Sequence, residues 1–105
     1  MNQEKIQELQ ILEQTLQNLL AQKQAFQMEF SETDSALKEI EKSGDEVFKI
    51  VGQIMLKVGK DKMKEDLLGK EKILEIRLKT IERQENTLME KLEKVREAFV
   101  DSKNN

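Results

Sequence analysis

"GQIMLKVGK", residues 52–60, is the stretch that comes nearest to a phosphate-binding loop, with two glycines ahead of a lysine. A P-loop needs four residues between its glycines and a Ser or Thr after the lysine to hold magnesium. Here six residues separate Gly52 from Gly59, and Asp61 stands where the hydroxyl is required. An anionic side chain at that point repels phosphate, so the match has no chemical content. Other candidates fail for equally simple reasons. The chain contains no His and no Cys, which removes the commonest proton shuttle, the thiol nucleophile and the N/S ligand set of zinc. Ser31, Ser35, Ser43 and Ser102 therefore have no imidazole to activate them. Carboxylate pairs such as Glu39/Glu41 and Glu90/Glu93 lie in charged helical sequence, without the burial that acid–base work by a carboxylate demands. The lysines at 57, 60, 62 and 64 are interrupted by Asp61 and lack interleaved aromatics on which bases could stack. No catalytic residue, cofactor or metal site is expected, and the chain is not expected to be an enzyme.

Attention then moves to the elements such residues would have needed. At 105 residues one domain, 1–105, is the expectation. Charged residues make up 37% and aromatics 4%, with no Trp, Tyr or Pro. That is too little bulky apolar material for a thick core, and it suits a chain that buries a narrow helical seam. The net charge of −3 with both signs interspersed gives no footprint for nucleic acid. No apolar run approaches the roughly 20 residues that span a bilayer, and "MNQEKIQELQ" lacks the apolar core of a signal peptide. A cytoplasmic location away from membranes is expected.

In residues 5–42 apolar side chains recur at alternating steps of three and four. The a positions are Leu9, Leu16, Lys23, Phe30 and Leu37, and the d positions are Leu12, Leu19, Phe26, Thr33 and Ile40. Eight of these ten are apolar, a coiled-coil signal by count. "KSGDE" stops the helix, with Gly44 suited to a left-handed cap. A second helix, 61–101, repeats the design with Leu67, Leu74, Ile81, Leu88 and Val95 at d. Its a positions hold Glu71, Leu78, Glu85, Leu92 and Phe99. Asp61 is placed to cap it, Gly69 should loosen its first turns by about 1 kcal/mol relative to Ala, and "DSKNN" reads as a frayed end.

Each helix should be roughly 60 Å long, and the short connector implies an antiparallel hairpin. Partners numbered to sum to about 108 set Lys23 beside Glu85, both at polar a positions. Such a pair fixes register, unless both side chains snorkel to water.

The middle segment differs in kind. "EVFKIVGQIMLKV" reads as two β-type runs hinged near Gly52, a β-hairpin over 46–59. A two-residue Gly52-Gln53 loop suits a type II′ turn. A three-residue loop, Val51 to Gln53, instead collects Phe48, Ile50, Ile54, Leu56 and Val58 on one face, against Val47, Lys49, Met55 and Lys57 on the other. The second sorts apolar from polar better and is the register expected. A lone two-stranded ribbon is marginal in water and has open edges. The expected fold is therefore mainly α, a long antiparallel coiled-coil hairpin whose central β-hairpin joins an oligomeric β-barrel hub. Val47, Phe48, Ile50, Val51, Gly52, Ile54, Leu56 and Val58 would carry assembly.

Apolar residues off the seam are the remaining feature. Leu68, Ile73 and Ile76 are expected to pack on the hub or a neighbouring rod, whereas Leu20, Met28 and Met89 are isolated. At the free end Ile6, Leu9, Ile11 and Leu12 should meet Val95, Phe99 and Val100, with Ile11 and Val100 pointing away from the seam. Either the seam simply ends there, or these residues form a small mobile patch that grasps apolar segments of other chains.

"ALKEIEK" (36–42), "VFKIVGQIMLKV" (47–58) and "EIRLKTIERQE" (75–85) together resemble the β-class subunit of prefoldin. Phe48, Lys49, Val51, Gly52, Leu56 and Lys57 match at the hinge, and Arg77, Gln84 and Glu85 match in the second helix. One hairpin between the helices, not two, fits the β class over the α class. The resemblance implies a heterohexamer, in archaea two α with four β subunits, whose hairpins form a double β-barrel bearing six tentacles. It further implies an ATP-independent holdase that binds unfolded proteins at the tentacle tips and passes them to a group II chaperonin in the cytosol. The short tail after Phe99 departs from relatives with longer ones. The competing reading is a structural scaffold or tether without client binding.

Overall fold

The alternating three- and four-residue apolar steps produce two long helices, because each step returns a side chain to the same stripe. The computed structural model describes residues 3–104, and side chains over 3–101. The order is α1 (Gln3–Lys42), β1 (Glu46–Val51), β2 (Ile54–Gly59) and α2 (Lys60–Asn104). Both helices extend slightly past the bounds expected from sequence. In particular α2 runs through the segment expected to fray, of which Asn105 alone lies outside the described residues.

The chain divides into two compact units, Met1–Ala25 with Leu78–Asn105, and Phe26–Arg77. In the first unit α1 and α2 run antiparallel, since Glu13 pairs with Arg96 at 3.3 Å and Lys23 with Glu85 at 3.2 Å. Leu19, Ile81 and Leu92 are its buried residues. The Lys23–Glu85 pair takes the specific form open in the sequence, with its side chains 22% and 18% exposed. Half-burial of two opposite charges in an apolar seam ties one register to one salt bridge.

In the second unit Leu37, Ile40 and Leu74 are buried, Leu74 to 1% exposure. Thr33 is buried too, and its hydroxyl donates to the Glu29 carbonyl at 2.7 Å, so its polar atom is satisfied within its own helix. Every a and d position foreseen in both helices is buried or half-buried.

The helix ends use chemistry other than expected. Gly44 does not take the left-handed conformation; Gly52 is the one residue with positive φ among those described. Instead Ser43 closes α1, its amide and hydroxyl both donating to the Ile40 carbonyl at 3.1 and 2.7 Å. Lys60 Nζ then donates to the Ser43 carbonyl at 2.9 Å. With two donors serving the orphan carbonyls of the last turn, no left-handed residue is needed. Asp61 lies within the first turn of α2 and not ahead of it, where its charge still favours the positive end of the helix dipole.

The hairpin adopts the two-residue turn, with Val51 opposite Ile54 and Val47 opposite Val58. This overturns the three-residue loop. Gly52 has φ of 61° and Gln53 does not share it, the pattern of a II′ turn, whose twist matches that of the flanking strands. Burial can choose a register only where one face is covered. Here neither face is, so turn chemistry decides.

Candidate functional site

The register redistributes the hairpin side chains. Directly paired residues share a face, so Val47, Lys49, Val51, Ile54, Leu56 and Val58 stand on one side. Glu46, Phe48, Ile50, Met55, Lys57 and Gly59 stand on the other. The first face is mainly apolar and carries Lys49, whereas the second sets Phe48, Ile50 and Met55 beside the charged Glu46 and Lys57. All six of Phe48, Ile50, Val51, Ile54, Met55 and Leu56 are exposed, Ile50 to 70%, while Val47 and Val58 next to the helices are half-buried. The assembly residues foreseen in the sequence are thus brought together on one ribbon but not on one face. Met55, placed among polar neighbours by the other register, joins Phe48 and Ile50 and was missed for that reason. Lys57 and Glu46 pair across the strands at 3.5 Å, both well exposed, a contact worth little in water.

Beside the hairpin the first turns of α2 carry an unusual surface. Gly69, Ile73 and Ile76 fall at i, i+4 and i+7, on the side away from the seam residues Leu67 and Leu74. Ile73 and Ile76 are about half exposed, and a Cβ added at Gly69 would meet nothing within 4 Å. A shallow cleft of about 400 Å³ opens there, lined by Glu29, Glu65, Asp66, Gly69, Lys70, Ile73, Leu74 and Arg77. Asp66 holds Lys62 at 3.2 Å, and that hydrogen-bonded carboxylate keeps the Lys62 ammonium above its ordinary range. Arg77 lies 5.7 Å from the Phe26 ring centroid, a cation–π distance. One seam group is unsatisfied: Glu71 Oε2 is buried without a hydrogen-bond partner.

The tip residues belong to the first unit. Ile6, Leu9, Leu12, Val95 and Phe99 are half-buried as the last turns of the seam. Ile11 and Val100 are exposed, to 65% and 53%. A small cleft of about 160 Å³ lies among Lys5, Glu8, Lys94, Val95 and Ala98. Val100 borders a separate one with Glu93, Arg96, Glu97 and Asp101. The two exposed apolar groups sit on different helices, Val100 beside the charged side chains of its cleft. A larger groove of about 460 Å³ lined by Thr15, Leu19, Arg83, Gln84, Thr87 and Leu88 follows the seam of the same unit and was not foreseen. Among the described residues no helix is long and apolar enough to cross a membrane.

Two seam-paired helices joined through a bare, two-sided β-ribbon define a coiled-coil subunit of a hairpin-bearing class. A family model described as "Prefoldin subunit" matches residues 3–101. The prefoldin subunit beta of Thermococcus onnurineus is 42% identical over 90 residues, covering 84% of this chain and 78% of the relative. That of Archaeoglobus fulgidus is 37% identical over 97 residues, covering 90% and 78%. A crystal structure of the prefoldin beta subunit from Thermococcus strain KS-1 superposes with a TM-score of 0.87 at 38% identity, covering 95% of this chain and 90% of that one. The chain belongs to the prefoldin subunit family, in its β class.

Proposed function

We propose that the chain is a subunit of an ATP-independent holdase, assembled through its hairpin with an α-class prefoldin subunit, two α with four β. The observation that carries the reading is the ribbon from Val47 to Val58, whose apolar side chains from Phe48 to Leu56 stay exposed on both faces. Its exposed edges and faces would gain by burial about 25 cal/mol for every Å² of apolar surface removed from water. Several hairpins closing into a barrel supply both the missing edges and an interior. The chain ends of the helices would then be free to meet unfolded clients. Ile6, Leu9, Ile11, Leu12, Val95, Phe99 and Val100 are the residues proposed to hold them, for delivery to a group II chaperonin in the cytoplasm. Two exposed apolar groups, one of them bordered by charges, backed by seam residues that fraying uncovers, favour weak and reversible capture. Neither nucleotide nor nucleic acid nor membrane enters this reading.

Replacing Ile11, Phe99 and Val100 together by Ser tests the tip. The expected outcome is an intact assembly by size exclusion with weaker suppression of an aggregating client by light scattering. Unchanged suppression rejects the tip assignment.

A further inference from the structure

The two faces of the hairpin treat their charges differently. On one, Glu46 and Lys57 pair across the strands at 3.5 Å, so each ion is answered within the chain. The other gathers Val47, Val51, Ile54, Leu56 and Val58 around a single charged residue, Lys49. Its cross-strand neighbour is Leu56, and no carboxylate shares its face. Among the described residues Lys49 has no ion pair, and its side chain is exposed. It is the fourth of the six residues of β1, well inside the ribbon and not at its rim. Closing strands into a barrel turns one face of each strand inward. The face with five apolar residues gains most by that burial. Closure then carries Lys49 inward too, where an unpaired charge is costly and a paired, hydrogen-bonded one is tolerated.

We propose that an Asp or Glu on the hairpin of a different chain meets Lys49, and that this ion pair selects the partner. A second copy of this chain presents the same face, with a lysine and no acid, so like charge would meet like. The copy's Glu46 does not substitute, because it stands on the opposite face and is engaged by Lys57. The occupant that fits is a strand with apolar side chains at alternate positions and one carboxylate among them. In the assembly proposed above that strand belongs to the α-class subunit. The contact rests on that reading and assigns the residue that distinguishes the partner from a copy of the chain itself.

The full-length chain is mixed with the α-class subunit and treated with a water-soluble carbodiimide, which joins a lysine amine to a carboxylate in direct contact. Mass spectrometry of the digested complex is expected to show Lys49 coupled to an Asp or Glu of the α-class hairpin. Lys57 coupled to Glu46 is the internal standard for the chemistry. Coupling of Lys49 only to another copy of this chain, or to nothing while the standard couples, overturns the proposal. In a titration followed by native mass spectrometry, Lys49→Gln should weaken the complex about tenfold or more, because it strands the partner's carboxylate. Lys49→Arg keeps the charge and should lose much less. Lys49 is exposed in the single chain, so neither variant should change its helicity by circular dichroism. Equal losses for the two variants, or no loss for Lys49→Gln, also overturn the proposal. A parent chain that forms no complex removes the assembly reading together with this pair, whereas one that assembles without the Lys49 coupling removes this pair alone.

Discussion

The seam and the hairpin draw on the same apolar residue types, yet one is satisfied inside the chain and the other is not. Leu19, Leu37, Ile40, Leu74, Ile81 and Leu92 disappear into the seam, whereas Ile50, Ile54 and Leu56 stay in water. Helical period 3.6 gathers apolar groups into one stripe that a single antiparallel partner can cover. Strand period 2 spreads them over two faces and adds two unpaired edges, which one short hairpin cannot cover for itself. The seam therefore carries the stability of the chain, and in the proposed assembly the ribbon would carry the association. Substitutions in the two regions should separate these properties.

The largest effect is expected at the ribbon. Ile54→Asp with Leu56→Asp should abolish assembly with an α-class subunit by size exclusion. Thermal stability of the unassembled chain should change by no more than about 0.5 kcal/mol, as for exposed sites generally. At the seam the signs reverse. Leu74→Ala should cost about 2–5 kcal/mol in a denaturant titration through the cavity it leaves, with the hairpin surface untouched. Lys23→Ala should cost about 1–2 kcal/mol by leaving the Glu85 carboxylate half-buried and unpaired. The double replacement of Lys23 and Glu85 by Leu should recover that loss, because apolar packing commonly equals a buried ion pair. The smallest change is a gain. Glu71→Leu should add about 1 kcal/mol by removing the orphaned carboxylate oxygen from the seam of its unit.

The sequence made the seam legible residue by residue, down to the Lys23–Glu85 pair, because a heptad ties side-chain position to number and a short connector ties one helix to the other. It misled at points where two local devices compete. Gly44 offered a left-handed cap, but Ser43 and Lys60 satisfied the end of α1 instead. The hairpin register was argued from sorting apolar from polar, a rule that presupposes one covered face. With both faces bare, Gly52 at the first turn position prevailed, and Met55 moved to the face of Phe48 and Ile50. The orphaned oxygen of Glu71 and the open space at Gly69 are properties of neighbours in three dimensions, so spacing alone could not reveal them. At the tip, sequence identified Ile11 and Val100 as off the seam, which their exposure matches, but not the charged cleft that Val100 borders.

Native mass spectrometry of the full chain at dilute concentration, with and without an α-class subunit, tests the claim that the ribbon must be covered by other molecules. The account predicts a complex containing several copies of this chain, which disappears when Ile54 and Leu56 are replaced by Asp. A single-chain mass in both samples, with the parent and the double variant indistinguishable, would contradict it.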